Sequence, residues 1–368
     1  MKRILSVLIC IFILLVAYLT LWPVPVDPVQ WIPPQTDGYT GPHAVNTKLS
    51  NLQILALGNE EGPEQIVIGR DGRLYTTVAS GKIIRMSQDG SQQEIFAETG
   101  GHVLGFDFDA NGNIVAADVD KGLLLISPDK KTTILTHQIN GEPIRFADAV
   151  TVAPSGKIYF SDASARFAPK DWGGIFQAST IDILEQRSTG RILEYDPVKK
   201  ATRVVAKGLS FANGVVLSED AQWLFVNETG KHRVWKISVN ARNLDIGHPG
   251  DSAQILLENL PGYPDNLTRG LDGKIWLGFA KPRNPAIDQL TITSTPFLRK
   301  LTYRLPKSLW PLPKPYGHVM AFTEDGKIVA DLQDPSGAYP ETTGVTETSE
   351  RIYIQSLHAK GIGWLPNK

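Results

Sequence analysis

The chain has 368 residues, with 37 Lys and Arg against 38 Asp and Glu, so its formal net charge is −1 at pH 7. Nucleic-acid-binding domains usually carry a basic patch, and this balance argues against such a partner. The hydrophobic content of 42% is enough for a large core, and the single cysteine, Cys10, excludes a disulfide framework.

An uncharged segment opens the chain. Residues 4–22 contain no charged side chain and follow Lys2 and Arg3. As a helix they would span about 28 Å, close to the hydrocarbon thickness of a membrane. A cleaved signal peptide is the alternative, but no small-residue cleavage site follows. We predict a signal anchor over residues 1–22, with a cytoplasmic N-terminus and the remainder periplasmic, lumenal or extracellular.

Residues 23–57 are rich in proline and are predicted to form a stiff spacer. From Gly58 to the end, at residue 368, a unit recurs: a polar head residue, an apolar strand, a turn with glycine and a second strand. Asp71-Gly72 and Asn111-Gly112 are two of these turns, and such pairs between apolar runs are strong hairpin signals. The head residues of the units are Glu64, His102, Asp148, Asn213, Asp265 and Glu347.

Six such units predict an all-β fold, a six-bladed β-propeller preceded by one transmembrane helix. A β-sandwich with similar hairpins is the alternative. In antiparallel blades the head residues should lie on one face near the axis. Insertions at 166–189 and 281–317 occupy loops that return to that face and are predicted to be lids.

The second insertion holds seven basic residues and one acid, Asp288. This composition suits either contact with a membrane surface or a lid packed on the propeller.

Glu64, Asn213 and Asp265 bring two carboxylates and an amide oxygen to the predicted axis. Such a hard-oxygen set suits Ca²⁺ and does not suit zinc. Alternatively, each head residue only caps its loop by bonding backbone N–H groups.

Several motifs in the same order carry a family resemblance. They are GPEQIVIGRDGRLYT, LGFDFDANGNIVAADVDKGLL, FADAVTVAPSGKIYFSDAS, GRILEYD, FANGVVLSED, GYPDNLTRGLDGKIWLG and VTETSERIYIQSL, across about residues 58 to 365. The chain resembles the SMP-30/gluconolactonase and strictosidine-synthase-like family of six-bladed propellers. It is most similar to the membrane-anchored branch typified by adipocyte plasma membrane-associated protein.

The resemblance implies site residues. The calcium-binding residues of the lactonase members match Glu64, Asn213 and Asp265. Ala147 departs from the pattern, because lactonase members have asparagine there. The predicted substrate-binding residues are Asn266, Arg145 and Glu347, and the last of these matches the acid of strictosidine synthase.

The implied function is calcium-dependent hydrolysis of a small-molecule lactone or aryl ester by a protein held in the membrane through residues 4–22. The metal would polarise the carbonyl while a carboxylate deprotonates water. Asp265 is the base that the resemblance suggests, and Asp148 and His102 are alternatives. Two other functions remain open: a non-enzymatic propeller that binds a ligand or protein, and amine–aldehyde condensation of the strictosidine synthase type.

Overall fold

Each predicted repeat unit folds into a sheet whose main four strands are antiparallel, and six such sheets surround a common axis. Five of them have four strands, and the sheet of blade three has a fifth strand at its edge. The computed structural model describes residues 2–292 and 296–367. The prediction of a six-bladed β-propeller preceded by an apolar N-terminal helix is confirmed.

The chain begins with helix α1 (Lys2–Leu21) and strand β1 (Gln53–Ala56). The strands of blades one and two are β2 (Ile66–Ile68), β3 (Leu74–Thr77), β4 (Lys82–Met86), β5 (Glu94–Glu98), β6 (Val103–Phe108), β7 (Ile114–Asp118), β8 (Gly122–Ile126) and β9 (Thr132–Thr136). A small hairpin follows, formed by β10 (Gln138–Ile139) and β11 (Glu142–Pro143).

The elements of blades three and four are β12 (Ala147–Val152), β13 (Ile158–Asp162), α2 (Ile175–Glu185), β14 (Gly190–Asp196), β15 (Ala201–Leu209), β16 (Ala212–Leu217), β17 (Trp223–Glu228), β18 (Arg233–Ser238), β19 (Leu244–Asp245) and β20 (Ala253–Leu257). Strand β19 adds to the edge of blade three, parallel to β15. The elements of blades five and six are β21 (Gly262–Arg269), β22 (Ile275–Pro282), α3 (Pro285–Ile292), α4 (Phe297–Arg304), β23 (Gly317–Phe322), β24 (Ile328–Asp334), β25 (Thr342–Glu347), β26 (Arg351–Ser356) and β27 (Gly361–Pro366).

The first strand of each blade lies next to the axis. Strand β12 contacts β6 and β16, β21 contacts β16 and β25, and β25 contacts β2, so the inner strands form a ring. All six residues of β16 are buried. Because neighbouring blades cover both faces of this strand, its sequence is a short apolar run instead of an alternating pattern.

Glycine sets the hairpin turns on the face opposite the head residues. Gly72, Gly112 and Gly156 have φ angles of 73°, 79° and 82°. Residues with a Cβ rarely adopt this left-handed conformation, so the turns that the sequence marked with glycine depend on it.

Strand β1 closes the ring. It pairs antiparallel with β27 and so forms the outer strand of the sixth blade. The predicted spacer over residues 23–57 is therefore wrong for residues 53–56, which belong to the propeller. The last blade joins strands from both ends of the chain, and separating them would open the ring.

Apolar clusters lie between adjacent sheets. The cluster between blades three and four includes Ile192, Val215 and Val226, all at most 3% exposed. Full burial of such a side chain contributes about 1.5–3 kcal/mol, so these contacts between blades hold the propeller together in the absence of disulfides.

Helix α1 is the one helix in the described residues that is long and apolar enough to cross a membrane, and no residue in it is buried. Residues 22–31, which we call the strap, continue from it along the propeller. Val26 of the strap is 5% exposed. The backbone N–H of Val29 donates to the Glu185 carbonyl at 2.8 Å, and that of Trp31 donates to the Thr291 carbonyl at 3.0 Å. The strap is packed, contrary to the spacer prediction.

The second insertion packs in the same way. Arg304 of α4 donates to the carbonyl oxygens of Trp22 and Leu19, at 2.7 and 2.9 Å, and so caps the C-terminal end of α1. The guanidinium of Arg299 donates to the carbonyl of Val29 at 2.7 Å. These arginines are buried and bond to backbone, as in a packed lid and unlike a solvated basic face.

Candidate functional site

Four of the predicted head residues line one cavity at the axis: Glu64, Asp148, Asn213 and Asp265. We call them the central cluster. Each is 9% exposed or less. The structure thus brings together the three predicted metal ligands and one of the alternative bases.

The inner strands position these side chains by a shared irregularity. The pairing register shifts between Ala147 and Val150 in β12 and between Ala212 and Val215 in β16. In β21 it shifts on both sides of Pro264. A bulge re-aims a side chain at the end of a strand, and here it accompanies Asp148, Asn213 and Asp265.

Amide groups hold the cluster in place. The Asn213 Nδ2 donates to Asp265 Oδ1 at 2.7 Å, and the Asn266 Nδ2 donates to the Glu64 carbonyl at 3.0 Å. The Asn227 Nδ2 donates to the Asp265 carbonyl at 2.5 Å. Asn266, a predicted substrate-binding residue, therefore lies at the cluster with its amide nitrogen bonded to backbone.

Burial and mutual repulsion disfavour the ionised carboxylates. Burial, with Asp148 and Asp265 nearby, raises the pKa of Glu64 well above its ordinary value. Burial and Asp265 do the same for the pKa of Asp148. Burial raises the pKa of Asp265 to about 7, although its hydrogen bond from Asn213 lowers it. A nearby positive charge would relieve this cost.

The donor set fits a divalent cation. Asn213 Oδ1 is buried and has no hydrogen-bond partner in the described part of the chain, so a carbonyl oxygen is left for a ligand. Carboxylate and amide oxygens are the donors that Ca²⁺ prefers. Lys281, which also lines the cavity, directs its ammonium group to Glu341 instead of to the cluster.

The rest of the cavity wall is mostly apolar, and the whole cavity has a volume of about 110 Å³. Its walls come from the propeller face, from α2 and from the second insertion. The apolar lining residues are Leu104, Phe146, Ile175, Phe176, Ile183, Leu184, Phe211, Ile287, Leu312 and Leu357. Long-range packing thus places both insertions over the cluster.

Two predicted residues lie outside this cavity. His102 lines a separate surface depression beside Asp120 and Lys170, and burial lowers the pKa of its ring. Arg145 is half-buried, and its backbone N–H donates to Asp162 Oδ1 at 3.2 Å. The structure does not bring either side chain to the central cluster.

The placement of Glu347 at the head of blade six is wrong. Glu347 is the last residue of β25, at the opposite end of the inner strand, and its Oε2 accepts from Trp276 Nε1 at 2.8 Å. Its Oε1 accepts from Lys274 at 2.7 Å. The head of this blade is Glu341, which directly precedes β25 and pairs with Lys281 and His358.

Replacing Glu347 by glutamine is expected to lower the free energy of unfolding by about 2 kcal/mol, because it weakens charge-assisted hydrogen bonds at a buried site. The hydrolysis that the family resemblance implies should not change. Urea denaturation and a rate assay would measure both effects, with Glu350→Gln as the exposed control. A large loss of activity with unchanged stability would contradict the structural role.

Ala147 also differs from the expected pattern in its position. It is fully buried in an apolar cluster with Val115 and Phe160, and it does not line the cavity. This chain therefore has a small apolar side chain directly before Asp148, at a position that does not contribute to the cavity wall.

Sequence reasoning missed Phe211, whose φ angle is 57°. This conformation is uncommon for a bulky residue, and such strain is concentrated at functional sites. Phe211 immediately precedes β16 and lines the cavity beside Asn213. The available sequence signal was that Phe211 lies only two residues before Asn213, the head residue of blade four.

Comparisons with known proteins agree with this architecture. The family model for strictosidine synthase matches residues 148–242, and that for the N-terminal part of strictosidine synthase-like proteins matches residues 41–86. Protein STRICTOSIDINE SYNTHASE-LIKE 6 of Arabidopsis thaliana is 33% identical over 331 residues, which cover 88% of this chain and 82% of the relative. Adipocyte plasma membrane-associated protein of Rattus norvegicus is 29% identical over 363 residues, covering 91% of both chains.

Solved structures share the fold at low sequence identity. A gluconolactonase from Xanthomonas campestris has a TM-score of 0.59 at 16% identity, covering 94% of this chain and 99% of that one. Regucalcin from Agrobacterium tumefaciens, a calcium-binding protein, has a TM-score of 0.56 at 13% identity, covering 85% and 92%. The propeller is thus related in structure to gluconolactonases, and by sequence the chain belongs to the strictosidine synthase-like family.

Proposed function

We propose that the chain is a membrane-anchored, calcium-dependent hydrolase of lactones or aryl esters. The observation that carries this proposal is the central cluster: three buried carboxyl groups share one mostly apolar cavity with an amide oxygen that has no hydrogen-bond partner among the described residues. Uncompensated buried carboxylates are costly, and a divalent cation would offset that cost. The structural likeness to a gluconolactonase and to a calcium-binding regucalcin supports the same reading.

The residues divide into two roles. Glu64, Asn213 and Asp265 would hold the cation, which when bound would polarise a carbonyl oxygen and keep nearby carboxylates ionised. Asp148 would accept a proton from the attacking water, because its carboxylate lines the cavity and accepts no hydrogen bond from the described residues. Water then adds to the ester carbonyl, and the proton passes on to the leaving oxygen.

The cavity wall favours an apolar substrate. Phe146, Phe176 and Phe211 supply aromatic surface beside the carboxylates. Desolvation of an aryl or alkyl group against these rings would supply binding free energy, and the cluster would position the ester or lactone carbonyl.

The anchor and the site lie on the same side of the protein. Val24 and Val26 of the strap pack in one apolar cluster with Phe146 and Phe211 of the cavity wall. With Arg304 capping the end of α1, the cavity face should lie close to the membrane surface. Lys2 and Arg3 favour a cytoplasmic N-terminus, which would place the propeller in the periplasm, lumen or extracellular space.

The proposal is tested with the full chain in detergent micelles and a panel of lactones and aryl esters. Hydrolysis should require Ca²⁺ and stop in EGTA. The rate should fall by at least about a hundredfold in Asp265→Asn, because this substitution replaces a charged ligand of the metal with a neutral amide. Asp325→Asn, at an exposed turn, is the control. Activity that persists in EGTA and in Asp265→Asn would contradict the mechanism.

A non-enzymatic ligand-binding propeller is the second candidate, and Ala147 favours it because the lactonase asparagine is missing there. In that case aryl esters should raise the melting temperature without being hydrolysed. Amine–aldehyde condensation is less well supported, because Glu347 lies at the far end of its strand.

A further inference from the structure

A second cluster of potential metal ligands lies away from the cavity. His43 belongs to a short helical turn after the strap, while His318 and Asp331 lie on β23 and β24 of blade five. Their ligand atoms all lie within 4.8 Å of one another. We propose that His43, His318 and Asp331 bind a divalent transition-metal ion of the zinc class, and that this ion fastens the N-terminal segment to blade five.

The geometry is close to that of a metal site. His43 Nδ1 lies 2.8 Å from Asp331 Oδ2, and His318 Nε2 lies 3.0 Å from the same oxygen. Ligand atoms bound at about 2.0–2.1 Å to one zinc ion are separated by roughly 3.0–3.4 Å, so each oxygen–nitrogen pair would open by at most a few tenths of an ångström. The two ring nitrogens lie within 4.8 Å of each other and would approach to share the ion. Two imidazoles and one carboxylate are a common donor set, and they leave a position open for water.

Neighbouring residues orient the carboxylate. Asp331 Oδ1 accepts from Gln333 Nε2 at 2.5 Å and from Asn46 Nδ2 at 3.2 Å. Tyr316 in turn donates its hydroxyl to Gln333 Oε1 at 2.7 Å. Because these bonds use one oxygen, the other is directed at the two imidazoles. Such support of a ligand by outer residues is characteristic of metal sites.

The positions of the two histidines suit metal binding. His318 is 1% exposed and stacks on Phe279, with ring centroids 4.3 Å apart. The His43 side chain is 12% exposed, which provides a route for an ion from solvent.

The alternative is a metal-free network in which both rings donate N–H groups to Asp331. The two states differ in the proton on His318: a metal on Nε2 requires the proton on Nδ1, whereas the network requires it on Nε2. Nδ1 of His318 has no partner in the described residues, so it is unpaired in either tautomer and no neighbouring group selects one of them. Metal binding itself must decide between them.

The test uses the full chain in detergent, prepared without a polyhistidine tag and with excess Ca²⁺ to occupy the oxygen-rich central cluster. After incubation with ZnCl₂ and gel filtration, elemental analysis should find about one zinc ion per chain. His43→Gln, His318→Gln and Asp331→Asn should each retain less than about a tenth of that amount. His248→Gln should retain all of it, because His248 is an exposed histidine beside Asp245.

Wild-type protein that holds no zinc would overturn the proposal, as would zinc retained equally in the three variants. His43 is the most exposed ligand, so His43→Gln gives an answer even where the two buried changes prevent folding. As an independent measurement, Co²⁺ should give visible absorption bands with wild type and not with His43→Gln. Loss of hydrolysis in any of these variants is not required, so this test is separate from that of the proposed hydrolase.

Discussion

Replacing Asp148 by asparagine is expected to lower kcat for ester hydrolysis by about 10²–10⁴, the usual contribution of a positioned general base. The Ca²⁺-induced rise in melting temperature should remain. The reason is the division of roles in the central cluster. Asn213 and Asp265 are bonded to each other, whereas the Asp148 carboxylate faces the cavity without a hydrogen-bond donor in the described residues.

The measurement pairs steady-state kinetics with thermal melts in Ca²⁺ and in EGTA. Asp107→Asn is the matched control, because Asp107 is a half-buried carboxylate that also lies on an inner strand. Asp107 accepts from the backbone N–H groups of Phe108 and Val152, at 2.8 and 2.9 Å, and lines a depression away from the cavity. Full activity in Asp148→Asn would remove Asp148 as the base. Loss of the calcium response in that variant would make it a ligand instead.

Much of the cluster was predictable because the same local signal marks its members. Glu64, Asp148, Asn213 and Asp265 each lie near the first residue of an inner strand, from two residues before it (Glu64) to the fourth residue of the strand (Asp265). Antiparallel topology then forces them onto one face. Nothing beyond strand order and alternation was needed for that part of the site.

The error at blade six has a local cause. Strand β25 has the sequence TTGVTE, with Val345 as its one large apolar residue, so no apolar run marks where it begins. Glu347, the acid nearest the turn, has the residue type of a head residue, but the head position of this blade is that of Glu341, six residues earlier. Glu347 has a residue type that suits the head position, but the hydrophobic pattern of β25 does not show where the strand begins.

The lids and the strap could not be derived in this way, because their contacts are remote in sequence. Arg299 bonds Val29, 270 positions away, and His43 meets Asp331 across 288 positions. The proline content of a segment predicts an extended spacer, but it does not show whether the folded protein offers a surface on which the segment packs. Conversely, the sequence predicted no specific partner for the seven basic residues of the second insertion, yet two of them, Arg299 and Arg304, bond to backbone carbonyls.

The second large effect concerns stability in the absence of metal. In EGTA, Asp265→Asn is expected to gain stability relative to wild type by about 2.5 kcal/mol as the pH rises from about 5 to about 8. Burial raises the pKa of Asp265 from 3.8 to about 7, so the folded protein binds a proton that the unfolded chain has lost. The contribution of Asp265 to the free energy of unfolding of the wild-type protein is therefore fully present below the pKa of the unfolded chain. It is lost as the pH rises through the pKa of the folded protein, about 7. Asparagine has no proton to lose.

Comparison of the two proteins is necessary because other buried groups titrate in the same range. Burial lowers the pKa values of His102, His232 and His318, and these rings favour the folded state as the pH rises, the opposite sign. Their contributions are common to both proteins and cancel in the difference. Urea unfolding at several pH values gives that difference directly.

With Ca²⁺ bound, the wild-type protein should be more stable than Asp265→Asn. A ligand present at about a hundred times its dissociation constant stabilises the folded state by about 2.7 kcal/mol, and Asp265→Asn should lack this gain. Because protons compete for the same carboxylates, the gain in wild type should grow with pH. A difference between the proteins that is independent of pH in EGTA would mean that Asp265 is ionised without a cation. The buried cluster would then need another source of positive charge, and Lys281, paired with Glu341 beside it, is the residue to examine.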